Sequence, residues 1–193
     1  LLKEVKDLWE DLSKKGMLPK ALRRKLLVLS LLIAYLEARR VLQADYFERL
    51  LPGAKGFFEV LANGPALVDL LDDLENRFNG HVFTLTEDDR DTLRASGQLT
   101  RFARMVEGKQ EPGGQRMLWQ RYSFADLPVE LISHVYQLFV KDTSVAVYTP
   151  HFLVRLMLSE VLDWSRLDRL TEKNEVILDP CCGSGVFLVE AYR

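Results

Sequence analysis

Near the end of this 193-residue chain an aspartate stands four positions ahead of a Gly-Ser-Gly turn, in Glu175-Val-Ile-Leu-Asp-Pro-Cys-Cys-Gly-Ser-Gly-Val-Phe-Leu-Val-Glu190. Gly183 and Gly185 lack a Cβ, so they admit positive φ and let a ligand approach the backbone. Asp179 is a fixed negative charge beside that opening. It would repel a phosphate, and neither the dinucleotide pattern G-x-G-x-x-G nor the phosphate loop G-x-x-x-x-G-K-[ST] is present. The acid suits a ligand that carries positive charge, such as the ammonium and sulfonium of S-adenosylmethionine.

The elements that must position these residues follow from the flanking pattern. Val176 to Leu178, apolar and bounded by turn formers, predict a short buried strand of the parallel-sheet kind. Asp179-Pro180 ends it, because proline cannot donate a ladder hydrogen bond. From Val186 the spacing turns helical, with Val186 and Val189 on one face and Phe187 and Ala191 on another. The whole reads as a first βα unit. Upstream, Tyr148-Thr149-Pro150 predicts a helix start, with Thr149 as N-cap and Pro150 at the first helical position. The helix would show Phe152, Leu153, Leu156, Met157, Glu160 and Val161 as its stripe. Pro150 and Asp179 lie 29 positions apart, room for that helix and a short connection.

Asp179-Pro-Cys-Cys-Gly-Ser-Gly-Val-Phe-Leu188 closely resembles the cofactor motif of amino-group (N6-adenine) DNA methyltransferases, D-P-x-C-G-S-G-x-F-L, with Cys181 at the variable position. Tyr148-Thr149-Pro150 is similar to the family's Y-T-P, which closes over the methionine end of the cofactor. Tyr122 to Phe139 resembles the family segment that precedes Y-T-P, and Phe78-Asn-Gly-His-Val-Phe83 resembles an F-N-G-x-L-F element earlier still. The resemblance implies S-adenosylmethionine as cofactor and Tyr148, Thr149, Pro150, Asp179, Pro180, Cys182, Gly183, Ser184 and Gly185 as its binding residues. Asp179 would lie near the methionine ammonium.

The composition is that of a soluble globular protein, with 48% hydrophobic and 28% charged residues and a net charge of −2. No run approaches the roughly 18 apolar residues of a membrane span. The two cysteines are adjacent and no signal peptide is visible, which points to the cytoplasm. His81, His134 and His151 lack partners at metal-ligand spacing, so no metal site is expected. The basic residues Lys20, Arg23, Arg24 and Lys25, and the pair Arg39 and Arg40, read as solvated helix faces before they read as DNA contacts.

Residues 1–125 read as almost wholly helical. An amphipathic helix through Leu1, Val5, Leu8, Trp9 and Leu12 ends near Lys15-Gly16, with Gly16 at C′. Pro19 opens a long helix through Leu22, Leu26, Leu29, Ile33 and Leu36 and on toward Leu42, buried on more than one side. Tyr46 to Leu51 continues or restarts it, Pro52-Gly53 breaks it, and Lys55 to Leu61 forms a short helix ended by Asn63-Gly64. Pro65 opens another through Phe78. Asn79-Gly80 predicts a turn and His81 to Leu85 a short strand or extended piece. Thr86 caps a helix through Leu93, Leu99, Phe102 and Val106, weakened by Gly97. Gly108 to Gln115 is a loop.

The expected fold class is therefore mainly α. A helical N-terminal domain (1–125) precedes the first helix and first βα unit of a Rossmann-like methyltransferase domain (126–193), truncated. The family's catalytic N-P-P-[YF] tetrapeptide does not occur in the sequence, so the resemblance implies the front part of a longer enzyme, inactive by itself. The whole would transfer a methyl group from S-adenosylmethionine to adenine N6 in double-stranded DNA, in a restriction-modification or phage-defence setting. Its partners would include a specificity or nuclease subunit or domain, and an oligomer is open. Two alternatives stand beside this: an RNA base methyltransferase, and a helical interaction or DNA-binding module acting without catalysis.

Overall fold

The computed structural model describes residues 2–15, 18–78, 82–108, 124–127, 149–162, 176–182 and 185–192. It is mainly α-helical, with no strand among the described residues. The chain divides into two compact units, Leu1–Phe139 and Val140–Arg193.

In the first unit, α1 (Leu2–Lys14) buries Val5 and Leu12 at helical spacing. The Gly16 cap lies outside the described residues. Helix α2 (Lys20–Ala38) follows Pro19 and is the centre of the core. Leu22, Leu26, Leu27, Leu29, Leu31 and Ile33 are all buried, so the helix is covered on more than one side, as its apolar density predicts. Ser30, equally buried, donates its hydroxyl to the Leu26 carbonyl at 2.7 Å and so adds no unsatisfied group.

The end of α2 carries no glycine signal, yet it closes as a Schellman motif. Arg40 adopts φ +59° and donates to the Glu37 carbonyl at 2.8 Å, while Val41 donates to Leu36 at 2.9 Å. The short helices α3 (Ala44–Leu50) and α4 (Phe57–Leu61) then meet through Phe47 and Phe57, ring centroids 6.4 Å apart. Helix α4 has no capping side chain of its own at Gly56. Instead, Glu37 reaches across from α2 and accepts the Phe57 N–H at 3.1 Å. Burial there raises the Glu37 carboxyl above its ordinary 4.5, the Phe57 N–H opposing the shift and Glu59 adding to it.

Helix α5 (Gly64–Phe78) begins where Asn63 accepts the Ala66 N–H at 3.1 Å. The Asn79-Gly80 turn lies outside the described residues; of the stretch beyond it, residues 82–85 are irregular rather than a strand, with Phe83 and Leu85 buried. Thr86 caps α6 (Glu87–Ala95) in a reciprocal capping box with Asp89. The single helix expected through Gly97 is two helices: α6 ends at Ser96, and α7 (Leu99–Glu107) restarts after Gln98. Ser96 accepts the Gln98 N–H at 3.2 Å, and the Gln98 side chain accepts the Leu18 N–H at 3.0 Å, so the break also ties down the turn before α2. Helix α7 ends at Gly108 with φ +78° and packs on α1 and α4, closing the core.

The basic residues of α2 are not simply solvated. Arg23 is buried, its guanidinium 5.2 Å from the Trp9 ring centroid; Lys25 donates to the Thr84 carbonyl; Arg39 lies 5.4 Å from the Tyr35 ring and donates to Leu127 O. The stems of Lys25 and Arg39 cover apolar surface while their charged ends stay nearer to water.

In the second unit the described elements are α8 (His151–Val161) and α9 (Val186–Tyr192), packed on each other. Pro150 sits one position earlier than expected: its ψ of 143° is extended, making it the N-cap, and its carbonyl accepts the N–H groups of Leu153 and Val154. The face of α8 turned inward is also not the apolar stripe of the sequence. His151, Val154, Arg155 and Leu158, spaced i, i+3, i+4 and i+7, form one face, on which Val154 and Leu158 are buried. Phe152, Leu156, Met157 and Val161 are exposed. Periodicity identifies a face but not what covers it. The same holds for Val176, Ile177 and Leu178. Where a buried strand is expected, these residues form an exposed segment, 81% open at Leu178, with no strand pairing among the described residues.

Candidate functional site

Asp179 anchors a turn made largely by its own neighbours. Its Oδ1 accepts the backbone N–H of Cys181 at 3.0 Å across Pro180, the local bond that lets aspartate start a turn. Cys182 then accepts the Gly185 N–H at 2.6 Å, and Gly185 turns with φ +76°. Gly185 in turn accepts the Val189 N–H at 2.9 Å, which fastens α9 to the turn. Nothing lies within 4 Å of the place where a Gly185 side chain would project.

The other oxygen of Asp179 is the chemically distinctive atom of the unit. Oδ2 is hidden from solvent and accepts no hydrogen bond from the described residues. A carboxylate oxygen in that state is costly unless a cation or donor completes it. The residues present therefore fit a ligand group bearing N–H⁺ or O–H beside an open glycine backbone, which is what the charge of Asp179 suggests from sequence. Cys181 and Cys182 are free thiols exposed at the rim of the same turn.

Among the residues singled out from sequence, Thr149 and Asp179 are half-buried, while Pro150, Pro180 and Cys182 are exposed. Tyr148, Gly183 and Ser184 lie outside the described residues. The structure brings Asp179, Cys182 and Gly185 into one hydrogen-bonded turn. The residues after Pro150 join the glycine turn through their helices, by way of a carboxylate that the sequence gives no reason to select. Glu190, on α9, is buried; its Oε1 accepts the Arg155 Nε–H at 2.6 Å, and its Oε2 lies 3.7 Å from His151 Nδ1. The partners are 35 and 39 positions away, beyond any helical spacing, so only the paired helices reveal them.

Residues 130–193 match the family model described as N-6 DNA Methylase, so this segment is similar to that family. The matched segment contains the Tyr148-Thr149-Pro150 stretch, α8, the Asp179 turn and α9. Members of that family are methyltransferases that generally use S-adenosylmethionine. No curated protein and no solved structure matches the chain. Among the described residues no helix is long and apolar enough to cross a membrane.

Proposed function

We propose that this chain supplies the S-adenosylmethionine-binding part of a DNA adenine-N6 methyltransferase that works in a restriction-modification or phage-defence system. The observation that carries the reading is Asp179: one oxygen holds the turn and the other is buried with no partner among the described residues, inside a segment that matches the family model. In this reading Asp179 Oδ2 receives the methionine ammonium. Gly183, Ser184 and Gly185 admit the rest of the cofactor, and Tyr148, Thr149 and Pro150 cover its methionine end. Bound there, the sulfonium supplies an electrophilic methyl group with a good leaving group behind it. The protein's own contribution is alignment and exclusion of water, not a metal.

The adenine-orienting N-P-P-[YF] tetrapeptide is not among the 193 residues, so the role proposed for this chain is cofactor binding and not turnover alone. DNA, together with a specificity or nuclease subunit or domain, completes the proposed system. The division into a helical part (1–125) and a methyltransferase part (126–193) belongs to the same proposal.

Calorimetric titration with S-adenosylmethionine tests this. Binding in the high-micromolar range or tighter, abolished by Asp179→Ala, is the expected result. A folded chain whose binding is unchanged by Asp179→Ala would refute the placement of the cofactor. A second reading, a helical interaction module, draws on the first unit having a hydrophobic core of its own. Capture of DNA or protein by residues 1–125 without cofactor would favour it.

A further inference from the structure

We propose that Glu190 is the positioning residue that sets the two halves of the cofactor site against each other, an inference that rests on the cofactor reading above. The two halves are the Thr149-Pro150 end of α8 and the Asp179–Gly185 turn ahead of α9. Each is joined to Glu190 by a short, continuous path. On one side Pro150 is followed directly by His151, whose Nδ1 is 3.7 Å from Glu190 Oε2; one turn further on, Arg155 donates to Oε1 at 2.6 Å. On the other side Glu190 lies five residues after Gly185, along a helix whose first turn is bonded to that glycine by the Val189 N–H.

The chemistry of the position argues for alignment over stability. Helix α9 is otherwise apolar or aromatic, Val-Phe-Leu-Val-Glu-Ala-Tyr, and the one acid in it is the residue that is buried. The Glu190 side chain is only 10% exposed, whereas Arg155 is 68% exposed. The acid therefore bears most of the desolvation while solvent screens its strongest partner, an arrangement that contributes little net stability. A leucine or methionine at 190, packing beside Val154 and Leu158, would hold two helices together at lower cost. It would also let them slide. A carboxylate that accepts from Arg155 at 2.6 Å and lies 3.7 Å from His151, one helical turn away, fixes both the register and the rotation of α9 on α8. Two clusters 29 positions apart in sequence acquire a defined spacing in this way.

The test is calorimetric titration of S-adenosylmethionine into the wild-type chain, Glu190→Gln, and the exchanged pair Arg155→Glu with Glu190→Arg, all at one fixed pH. Helix content and melting midpoint are measured for each. Glu190→Gln is expected to weaken cofactor binding by about tenfold to a hundredfold, the scale of an ångström-sized misplacement, with the helical signal kept. The exchanged pair is expected to recover most of the loss, which a role in packing alone would not predict. Equal affinity of wild type and Glu190→Gln would overturn the positioning role and leave the cofactor reading standing. An exchanged pair that stays folded but does not recover binding would overturn it as well. A wild-type chain that does not bind would remove the cofactor reading, and this proposal with it.

Discussion

Gly64 and Leu93 meet backbone to backbone: a methyl group added to Gly64 would lie 2.1 Å from the Leu93 carbonyl oxygen and 2.9 Å from its carbon. The first residue of α5 therefore passes under the last turn of α6 at a distance no side chain allows. Local preference and packing oppose each other here. In an isolated helix Gly64→Ala would gain about 1 kcal/mol of propensity; in this fold the overlap with a carbonyl forces two helices apart. We expect a net loss of about 3 kcal/mol, at the upper end of overpacking costs. Urea unfolding followed by circular dichroism reads the sign directly, and a stabilised variant would contradict the close approach.

Glu37 makes the stability of the first unit depend on pH. Its carboxyl is raised in the folded chain, chiefly by burial, so the folded state holds the proton more tightly than the unfolded state. Its contribution is thus largest below the ordinary 4.5 and is lost as pH rises through the higher folded value. Glu37→Gln keeps an oxygen to accept the Phe57 N–H but removes the titration. Unfolding midpoints should place the variant level with or above wild type at pH 7, the advantage shrinking or reversing toward pH 4. Parallel curves for the two proteins would refute the assignment. Gly56→Ala should act on the same contact, since its methyl would lie 2.5 Å from Glu37 Oε1 and displace that flexible end.

Arg40 holds a left-handed conformation that ordinary L residues adopt at a cost of about 1–2 kcal/mol, with φ +59° at the C′ position of α2. Arg40→Gly should relieve that cost and give back part of it through the more flexible unfolded chain. The expected net gain is about 0.5 kcal/mol. Thermal unfolding would show it as a rise of a few degrees, and a fall would mean that the arginine side chain makes up for its backbone.

Thr86 accepts the Asp89 N–H at 3.1 Å, and Asp89 accepts the Thr86 N–H at 3.3 Å. Thr86→Ala removes the first of these and should cost about 1 kcal/mol. Thr86→Ser should restore it. Loss in both, measured by chemical denaturation, would point to the threonine methyl in place of the cap.

What could be read in advance and what could not divides along the range of the interactions. Thr86 announces α6 because its cap partner is three residues away, and Asn63 and Gly108 mark helix ends for the same reason. The Asp179 turn is legible likewise, its bonds spanning two and three residues. The end of α2 escaped because the pattern demands glycine and the chain uses Arg40. Gly97 was visible as a weakness but not as a break, since the bond from Ser96 and the reach of Gln98 to Leu18 decide that. On α8 the apolar spacing located the helix, while the inward face was set by Glu190, a partner no periodicity contains. The family match extends that local legibility over residues 130–193 and reaches none of α1 to α7.

Helix α1 rests on α2 and on α7, the helix that ends at Glu107. During synthesis α1 emerges well before α7, so part of its apolar face has no cover until about 90 further residues have left the ribosome. Helices α4, α5 and α6 can dock on sequence neighbours as they appear. Helix α1 is thus made before α7 but fully sheltered only with it, and Val5 and Leu12 are the surface a chaperone would meet on the nascent chain.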